Sequence, residues 1–159
     1  MITVGMLAQQ PFLNGLSERQ LRVLADNSMP AAFQAEEFIF YEGDPANRFY
    51  LLLEGRVALE SPIDEGGFRK GAVPLETIGA GNVLGWSWLF PPYYWHFDAR
   101  AITPVRAIFF YGTTLREQCE CDHDLGYELM KRLSEVVINR LHATRQHMLK
   151  HEMKSAVAI

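Results

Sequence analysis

The sequence predicts a mainly β protein: an antiparallel β-roll of the jelly-roll type with a short N-terminal helix and a long C-terminal helix. From Phe33 to Tyr111, glycine-containing turns separate short runs rich in Phe, Ile, Val, Leu and Tyr, the pattern of many short strands. After Tyr111 the apolar residues recur every three or four positions, as in a helix. The 159 residues are 48% hydrophobic and 21% charged, which suits one soluble domain with its own core. We expect a single domain over 1–159, with the β-roll at about 30–111 and the C-terminal helices at about 113–153.

The first helix is predicted from the residues at its start. Ser17, followed three positions later by Gln20, has the form of a capping box, in which each side chain accepts a hydrogen bond from the other's backbone N–H. Leu21 and Leu24 then lie on one face of a helix over about 18–27. We expect this helix to pack against one end of the roll.

Turn and cap residues divide the rest of the chain. The segment Asp64-Glu65-Gly66-Gly67 is polar and flexible between two strand-like runs, so it predicts the tip of a hairpin. Thr113 or Thr114 is placed to cap a short helix, and Asp122 to cap a long one that begins near His123.

The long helix carries an apolar stripe over about 25 residues, or nearly 40 Å at the helical rise. The stripe consists of Leu125, Leu129, Leu133, Val136, Val137, Leu141 and Met148. A helix of this length extends past a small β-roll, so its outer part must bury the stripe elsewhere. We interpret its basic residues as a solvated face: Lys131, Arg132, Arg140, Arg145, Lys150 and Lys154.

The stretch 81–103 is the candidate site. Gly81 and Gly85 open a turn, a short apolar segment and the Pro91-Pro92 pair follow, and an alternating strand ends the stretch. The order is therefore turn, short helix, loop and strand. Because the first N–H groups of a helix lack partners within it, the start of the short helix is a candidate anion cradle.

Three motifs carry a resemblance to a known family. They are the turn Phe40-Tyr41-Glu42-Gly43-Asp44-Pro45-Ala46, the run Phe49–Val57 and the triplet Ala99-Arg100-Ala101. Over roughly residues 11–150 the chain resembles the cyclic nucleotide-binding domain of the catabolite-activator and fumarate-nitrate-regulator (Crp/Fnr) superfamily, which also occurs in kinase regulatory subunits and gated channels. The resemblance implies a regulatory module that binds a ligand in the roll and transmits binding to the long helix.

The resemblance also implies a homodimer, since the family's equivalent helix pairs with its twin across a two-fold axis. We expect pairing through residues 125–149. The predicted seam is Met130, Leu133, Val137, Leu141, Thr144 and Met148. The alternative is a helix that folds back on its own domain. Only about nine residues follow Lys150, so we expect no DNA-binding domain of the kind that follows this helix in the family's transcription factors.

The two charged anchors of the resembled family are replaced here. The family begins its short helix with Gly-Glu, whose Glu binds the ribose hydroxyl, and this chain has Gly85-Trp86. Aligning on the triplet places Trp95 and His96 where the family has the phosphate-binding Arg and its Ser or Thr neighbour. Losing both anchors weakens binding by about two to four factors of ten, so cyclic AMP in the usual pose is not expected.

The candidate pocket residues are therefore mostly aromatic: Gly85, Trp86, Ser87, Trp88, Trp95, His96 and Phe97. One hypothesis is that these rings fill the vacated pocket and form core, and the other is that they grip a planar or apolar ligand. An anion on the amides of Gly85, Trp86 and Ser87, including a nucleotide in a different pose, also stays open. Strand alternation places Arg100 with Asp98 on the outer face, where we expect the two to pair.

Several classes of function are disfavoured by the sequence. A net charge of −4 gives no general attraction to nucleic acid, and no apolar run or signal peptide indicates a membrane or secretion, so we expect a cytoplasmic protein. Cys119 and Cys121 are too close for an easy disulfide and are predicted to be reduced thiols, not metal ligands. Haem on His96 is disfavoured because no second ligand is evident nearby. We find no catalytic constellation and expect no enzyme activity.

The leading hypothesis is thus a dimeric ligand sensor, with the cofactor or ligand unidentified. The alternative is an interaction or scaffold protein whose pocket is plugged by aromatic rings and which acts through a protein partner.

Overall fold

In the computed structural model, residues 1–157 are described, with side chains through residue 153. The strands are β1 Ser28–Phe33, β2 Phe38–Phe40, β3 Arg48–Glu54, β4 Val57–Glu65, β5 Phe68–Ile78, β6 Val83–Leu84, β7 Asp98–Ala101 and β8 Val105–Tyr111. They form two antiparallel sheets with the orders β1-β8-β3-β6 and β2-β7-β4-β5. The predicted β-roll is confirmed, and it begins slightly earlier than expected, at Ser28.

The helices are α1 Val4–Ala8, α2 Glu18–Asp26, α3 Gly112–Cys121 and α4 His123–Val157, with single 3₁₀ turns at Pro11–Leu13 and Ser87–Leu89. The predicted capping box starts α2: the Gln20 N–H donates to Ser17 Oγ at 3.1 Å and the Ser17 N–H donates to Gln20 Oε1 at 2.9 Å. At the start of α4, Asp122 Oδ1 accepts from the Leu125 N–H at 3.2 Å, as predicted. Local side chains therefore set both helix starts.

The predicted threonine cap of α3 is wrong. This helix begins at Gly112, with Tyr111 as the N-cap residue and no capping side chain. A Cβ atom on Gly112 would lie 2.9 Å from Trp88 Cβ and 3.0 Å from the Arg48 backbone nitrogen. The helix therefore starts where glycine lets the backbone pass closely under Trp88, a tertiary constraint that decides its start.

The predicted hairpin tip joins β4 to β5. Glu65 pairs with Phe68 across Gly66-Gly67, whose φ angles are +61° and +84°. Two consecutive positive φ angles suit a tight hairpin turn, and glycine adopts them without steric cost.

Two apolar cores share the first sheet. On β3, Tyr50 and Leu52 point between the sheets, whereas Phe49 and Leu51 pack against the helices. Successive side chains of a strand face opposite sides, so β3 carries apolar residues at each position from Phe49 to Leu52. The helix-side core also contains Leu125, Leu129 and Leu133 of α4.

This packing corrects two expectations about α4. Leu133 is 1% exposed in the intramolecular core, so it does not belong to an exposed dimer seam. Arg132, expected on a solvated face, is 8% exposed and donates to the carbonyl oxygens of Phe12 (2.9 Å) and Asn14. The first half of α4 is thus fastened to its own domain, while residues 141–153 are all exposed. The side chain of Lys154 lies outside the described residues. Within 1–157, no helix has the length and apolarity needed to cross a bilayer.

Candidate ligand-binding site

The loop between β6 and β7 is held by the turn that precedes β3. The Ala46 N–H donates to the Tyr93 carbonyl at 2.7 Å, and the Trp95 N–H donates to the Asp44 carbonyl at 3.0 Å. The Gly43 N–H in turn donates to the Trp95 carbonyl at 2.9 Å. These bonds give Trp95 a fixed backbone position at the mouth of the roll.

The Trp95 side chain fills space inside the roll. It is 1% exposed and stacks on Phe40, with ring centroids 3.9 Å apart and planes 8° apart. A Cβ atom on Gly85, whose φ is +97°, would lie 2.8 Å from the Trp95 ring. Residue 85 therefore has to be glycine for both its backbone conformation and the space that the ring occupies.

Arg48 lies beside Trp95, but its guanidinium is already engaged. Its Nε donates to the Tyr50 hydroxyl at 2.8 Å and its Nη2 to the Ile39 carbonyl at 2.9 Å. Burial raises the pKa of Tyr50, and the nearby Arg48 charge opposes that rise. Arg48 thus connects β3 to the carbonyl oxygen of Ile39 on β2.

Two other predicted pocket residues also belong to cores. Trp88 is fully buried on the helix side, where it stacks on Phe49 at 4.8 Å. Its carbonyl accepts from Arg116 Nη1 at 2.7 Å. Phe97 is 6% exposed inside the roll, and the centroids of the Phe97 and Trp86 rings lie 5.5 Å apart at an interplanar angle of 60°. Residue type alone does not distinguish these core rings from pocket rings.

An open groove of about 510 Å³ lies between this loop and α4. We call it the Trp86 groove, and it is lined by Trp86, Ser87, Phe90, His96, Ser134, Val137 and Ile138. None of these residues is an Asp, Glu, Lys or Arg. Of the seven predicted pocket residues, only Trp86, Ser87 and His96 line it. The predicted pocket residues did not include Phe90, Ser134 or Ile138, and Val137 was assigned to the apolar stripe and the dimer seam, because no local pattern tells which turn of α4 faces the loop.

The expected pairing of Asp98 with Arg100 is wrong. Asp98 is 1% exposed; its Oδ1 accepts from the Glu42 N–H at 2.7 Å and its Oδ2 lies 2.5 Å from Arg69 Nη1. Arg100 instead donates from Nε to Glu60 at 2.8 Å, a hydrogen bond that raises the Arg100 pKa. The turn before β3 and the β4–β5 hairpin cover this face of β7, so both residues find partners on other segments.

A second groove, of about 410 Å³, lies below the loop beside Tyr93, Arg116, Cys119 and Met130. Arg116 covers the Tyr93 ring, with Cζ 3.9 Å from its centroid. Cys119 and Cys121 are free. Burial is the largest cause that raises the pKa of Cys119 to about 11, so its thiol is protonated at neutral pH.

With the geometry established, the family follows from comparison with known proteins. A sequence profile of the cyclic nucleotide-binding domain matches residues 30–122, more than half of the chain. This chain belongs to the cyclic nucleotide-binding domain family. A solved protein of Geobacter metallireducens named for cyclic nucleotide binding is 33% identical, and the alignment covers 89% of this chain and 100% of that chain with a TM-score of 0.78. The fold of this cyclic nucleotide-binding domain is that of regulatory and sensor proteins.

More distant relatives extend this comparison. A CRP-like cAMP-activated global transcriptional regulator of Mycobacterium tuberculosis is 24% identical over 90% of this chain and 60% of its own length. The regulatory subunit of a cAMP-independent protein kinase A from Trypanosoma brucei shares the fold at 23% identity, with a TM-score of 0.65 over 83% of this chain and 46% of that chain. The chain spans between 10% and 60% of the length of the curated relatives that it matches.

Proposed function

We propose that this cyclic nucleotide-binding domain is a regulatory sensor whose ligand binds in the Trp86 groove and not inside the roll. The observation that carries the proposal is the position of Trp95, which occupies the roll interior at 1% exposure. A nucleotide phosphate would collide with this ring, and the Arg48 guanidinium beside the ring already donates hydrogen bonds to Tyr50 and Ile39. The groove, in contrast, opens beside the same loop and reaches α4.

The lining of the Trp86 groove favours an uncharged planar ligand. Trp86 and Phe90 offer aromatic surfaces, Val137 and Ile138 offer aliphatic contact, and the two serine hydroxyls and His96 offer hydrogen bonds. A phosphate placed there would lose hydration without gaining a charged partner, which is costly. Binding at the amides of Gly85, Trp86 and Ser87 is the remaining route for an anion.

The groove also suggests how ligand binding is transmitted. Three lining residues, Ser134, Val137 and Ile138, belong to α4. A ligand that contacts both the loop and α4 favours the helix position in which those contacts are made. The output of the module is therefore the position of α4.

We further propose that α4 pairs with α4 of a second copy. Four apolar residues of the predicted seam are exposed, namely Met130, Val137, Leu141 and Met148, and Leu149 and Met153 are exposed on the outer part of α4 as well. Thr144 is exposed between them. A stripe of this kind on a helix without intramolecular cover suits a symmetric helix pair.

Ligand binding can be tested by thermal shift with cyclic AMP, cyclic GMP, cyclic dinucleotides and neutral aromatic compounds such as adenosine. We expect no midpoint shift from the cyclic nucleotides at micromolar concentration. A neutral compound that does shift the midpoint should lose its effect in Ser134→Trp, which fills the groove, and keep it in Glu135→Trp on an exposed position of the same helix. Tight binding of a cyclic nucleotide to the unmodified protein, or a hit that survives Ser134→Trp, contradicts the proposal.

The second candidate function is an interaction module that binds no small molecule. Two features support it. Aromatic rings fill the interior of the roll, which leaves less room there for a small molecule, and the exposed end of α4 offers a surface to a protein partner. The Trypanosoma brucei protein with the same fold is the regulatory subunit of a cAMP-independent protein kinase A. Flat thermal-shift traces across the whole panel favour this alternative.

A further inference from the structure

Among the side chains described through residue 153, Arg140 is the last that fastens α4 to the domain. Its side chain is 12% exposed, whereas every residue from 141 to 153 is exposed. The sequence analysis placed Arg140 on a solvated face, so its burial is a finding of the structure. What holds Arg140 therefore decides where α4 separates from the roll.

The Arg140 guanidinium contacts three separate parts of the domain. Nη2 donates to the Val83 carbonyl of β6 at 2.8 Å, and Nε lies 3.3 Å from Glu76 Oε2 on β5. Cζ lies 4.6 Å from the centre of the Trp86 ring. A guanidinium over an indole is attracted to its ring face, and the attraction increases when water is excluded.

One nitrogen of the Arg140 guanidinium lacks a hydrogen-bond partner in the described part of the chain. Arg140 Nη1 is buried and has no hydrogen-bond partner among the described residues. Burial also lowers the pKa of Arg140, an effect that Glu76 opposes. A buried donor without a partner loses its hydration and gains no hydrogen bond in return. If α4 is released, water can hydrate Nη1, and this gain offsets part of the free energy lost with the Val83 and Glu76 contacts.

Trp86 connects Arg140 to the candidate site. The indole packs under the guanidinium, lines the Trp86 groove and contacts the Phe97 ring, with centroids 5.5 Å apart. A shift of the Trp86 ring therefore changes the surface on which Arg140 rests.

We propose that Arg140 is a releasable clamp: its guanidinium holds α4 on the Trp86 ring, and displacement of that ring frees the helix from Arg140 onward. The trigger, a ligand that moves Trp86, rests on the proposed function. The clamp itself does not, because its contacts are present without a ligand. It deepens the proposed function by naming Arg140 as the residue that connects the Trp86 groove to the outer part of α4.

Hydrogen exchange of the full chain tests the clamp without any ligand. We expect Arg140→Gln to speed exchange of the α4 amides around residues 136–144 by about tenfold or more, since hydrogen bonds of a charged donor are lost. Arg145→Gln, on an exposed position of the same helix, is the matched control and should exchange like the unmodified protein. Equal exchange in the two variants overturns the clamp.

A double-mutant cycle tests the connection through Trp86. Trp86→Leu and Arg140→Gln should each speed amide exchange in α4. The double variant should change the free energy of opening by less than the sum of the two single changes, because both remove the same contact between Arg140 and Trp86. Additive effects overturn the route through Trp86. If Arg140→Gln does not fold, Arg140→Lys takes its place, since it keeps the charge but loses the planar fork that reaches both Val83 and Glu76. A failed ligand screen leaves these results unaffected, so failure of the clamp and failure of the proposed function are distinguishable.

Discussion

At the scale of single residues, Gly85 and Trp95 have to be considered together. Gly85 has a φ of +97°, and its missing side chain leaves the space that the Trp95 ring occupies. The ring then stacks on Phe40 and closes the roll interior. Gly85, Trp95 and Phe40 thus form one packed unit inside the roll. This pair predicts a stability effect that does not depend on any ligand.

The change Gly85→Ala should destabilise the domain more than Gly81→Ala. Both glycines have positive φ, +97° and +85°, so each alanine carries a similar backbone cost of about 1–2 kcal/mol. Only at Gly85 would the new Cβ atom meet a ring, at 2.8 Å, whereas Gly81 has open space. We expect an additional loss of about 1–3 kcal/mol in the free energy of unfolding for Gly85→Ala, measured by urea denaturation. Equal losses would show that the Trp95 ring does not lie against Gly85, and Trp95→Phe should relieve part of the excess.

At the scale of secondary structure elements, buried charges tie segments that are distant in the chain. Asp98 joins β7 to the turn at Glu42 and to Arg69 on the β4–β5 hairpin. Arg132 joins α4 to the N-terminal segment through the carbonyl oxygens of Phe12 and Asn14. These side chains fix how the elements sit around the site, and Arg140 does the same for the outer part of α4.

The change Asp98→Asn should lower the free energy of unfolding by about 2–3 kcal/mol. The amide removes the charge that faces Arg69 and weakens the bond to the Glu42 N–H, and hydrogen bonds of charged groups contribute on this order. Asp64→Asn, at an exposed position on the same hairpin, should stay within about 0.5 kcal/mol of the unmodified protein. Urea denaturation with matched slopes measures both. A neutral effect of Asp98→Asn would mean that the carboxylate contributes nothing to holding the hairpin.

At the scale of the whole molecule, α4 divides into two parts. Its first part buries Leu125, Leu129 and Leu133 in the domain, and its outer part is exposed on all sides from residue 141 to 153. An exposed helix of this length gains little stability from its own backbone, because isolated helices are marginal in water. Cover by a second copy is the proposed solution.

Light scattering during gel filtration should therefore give a mass near twice the 18.1 kDa of one chain. Leu141→Asp should shift the mass toward one chain at micromolar concentration, since two symmetry-related carboxylates would face each other in an apolar seam. Gln146→Asp, at another exposed position of α4, adds the same charge and should leave the mass unchanged. A single-chain mass for the unmodified protein at tens of micromolar would rule out the pairing.

The features that the sequence by itself determined are those that depend on residues close together in the chain. The capping box of Ser17 and Gln20, the Asp122 cap and the glycine turn at 66–67 each depend on residues within a few positions, and the structure has all three. The alternation that places Ala99 and Ala101 inside the roll is equally local. The β-roll, which the structure confirms, follows from such local patterns of strands and turns.

Only the tertiary structure decided where the aromatic rings and the arginines of α4 lie. Trp86, Trp88 and Trp95 share one loop without a regular period, yet they lie at the groove, in the helix-side core and inside the roll. The sequence predicts Arg140 as a surface residue, whereas in the structure it donates a hydrogen bond to Val83, which lies 57 positions away. Burial of a side chain depends on which distant segments pack over it, and a local sequence pattern does not show which segments these are.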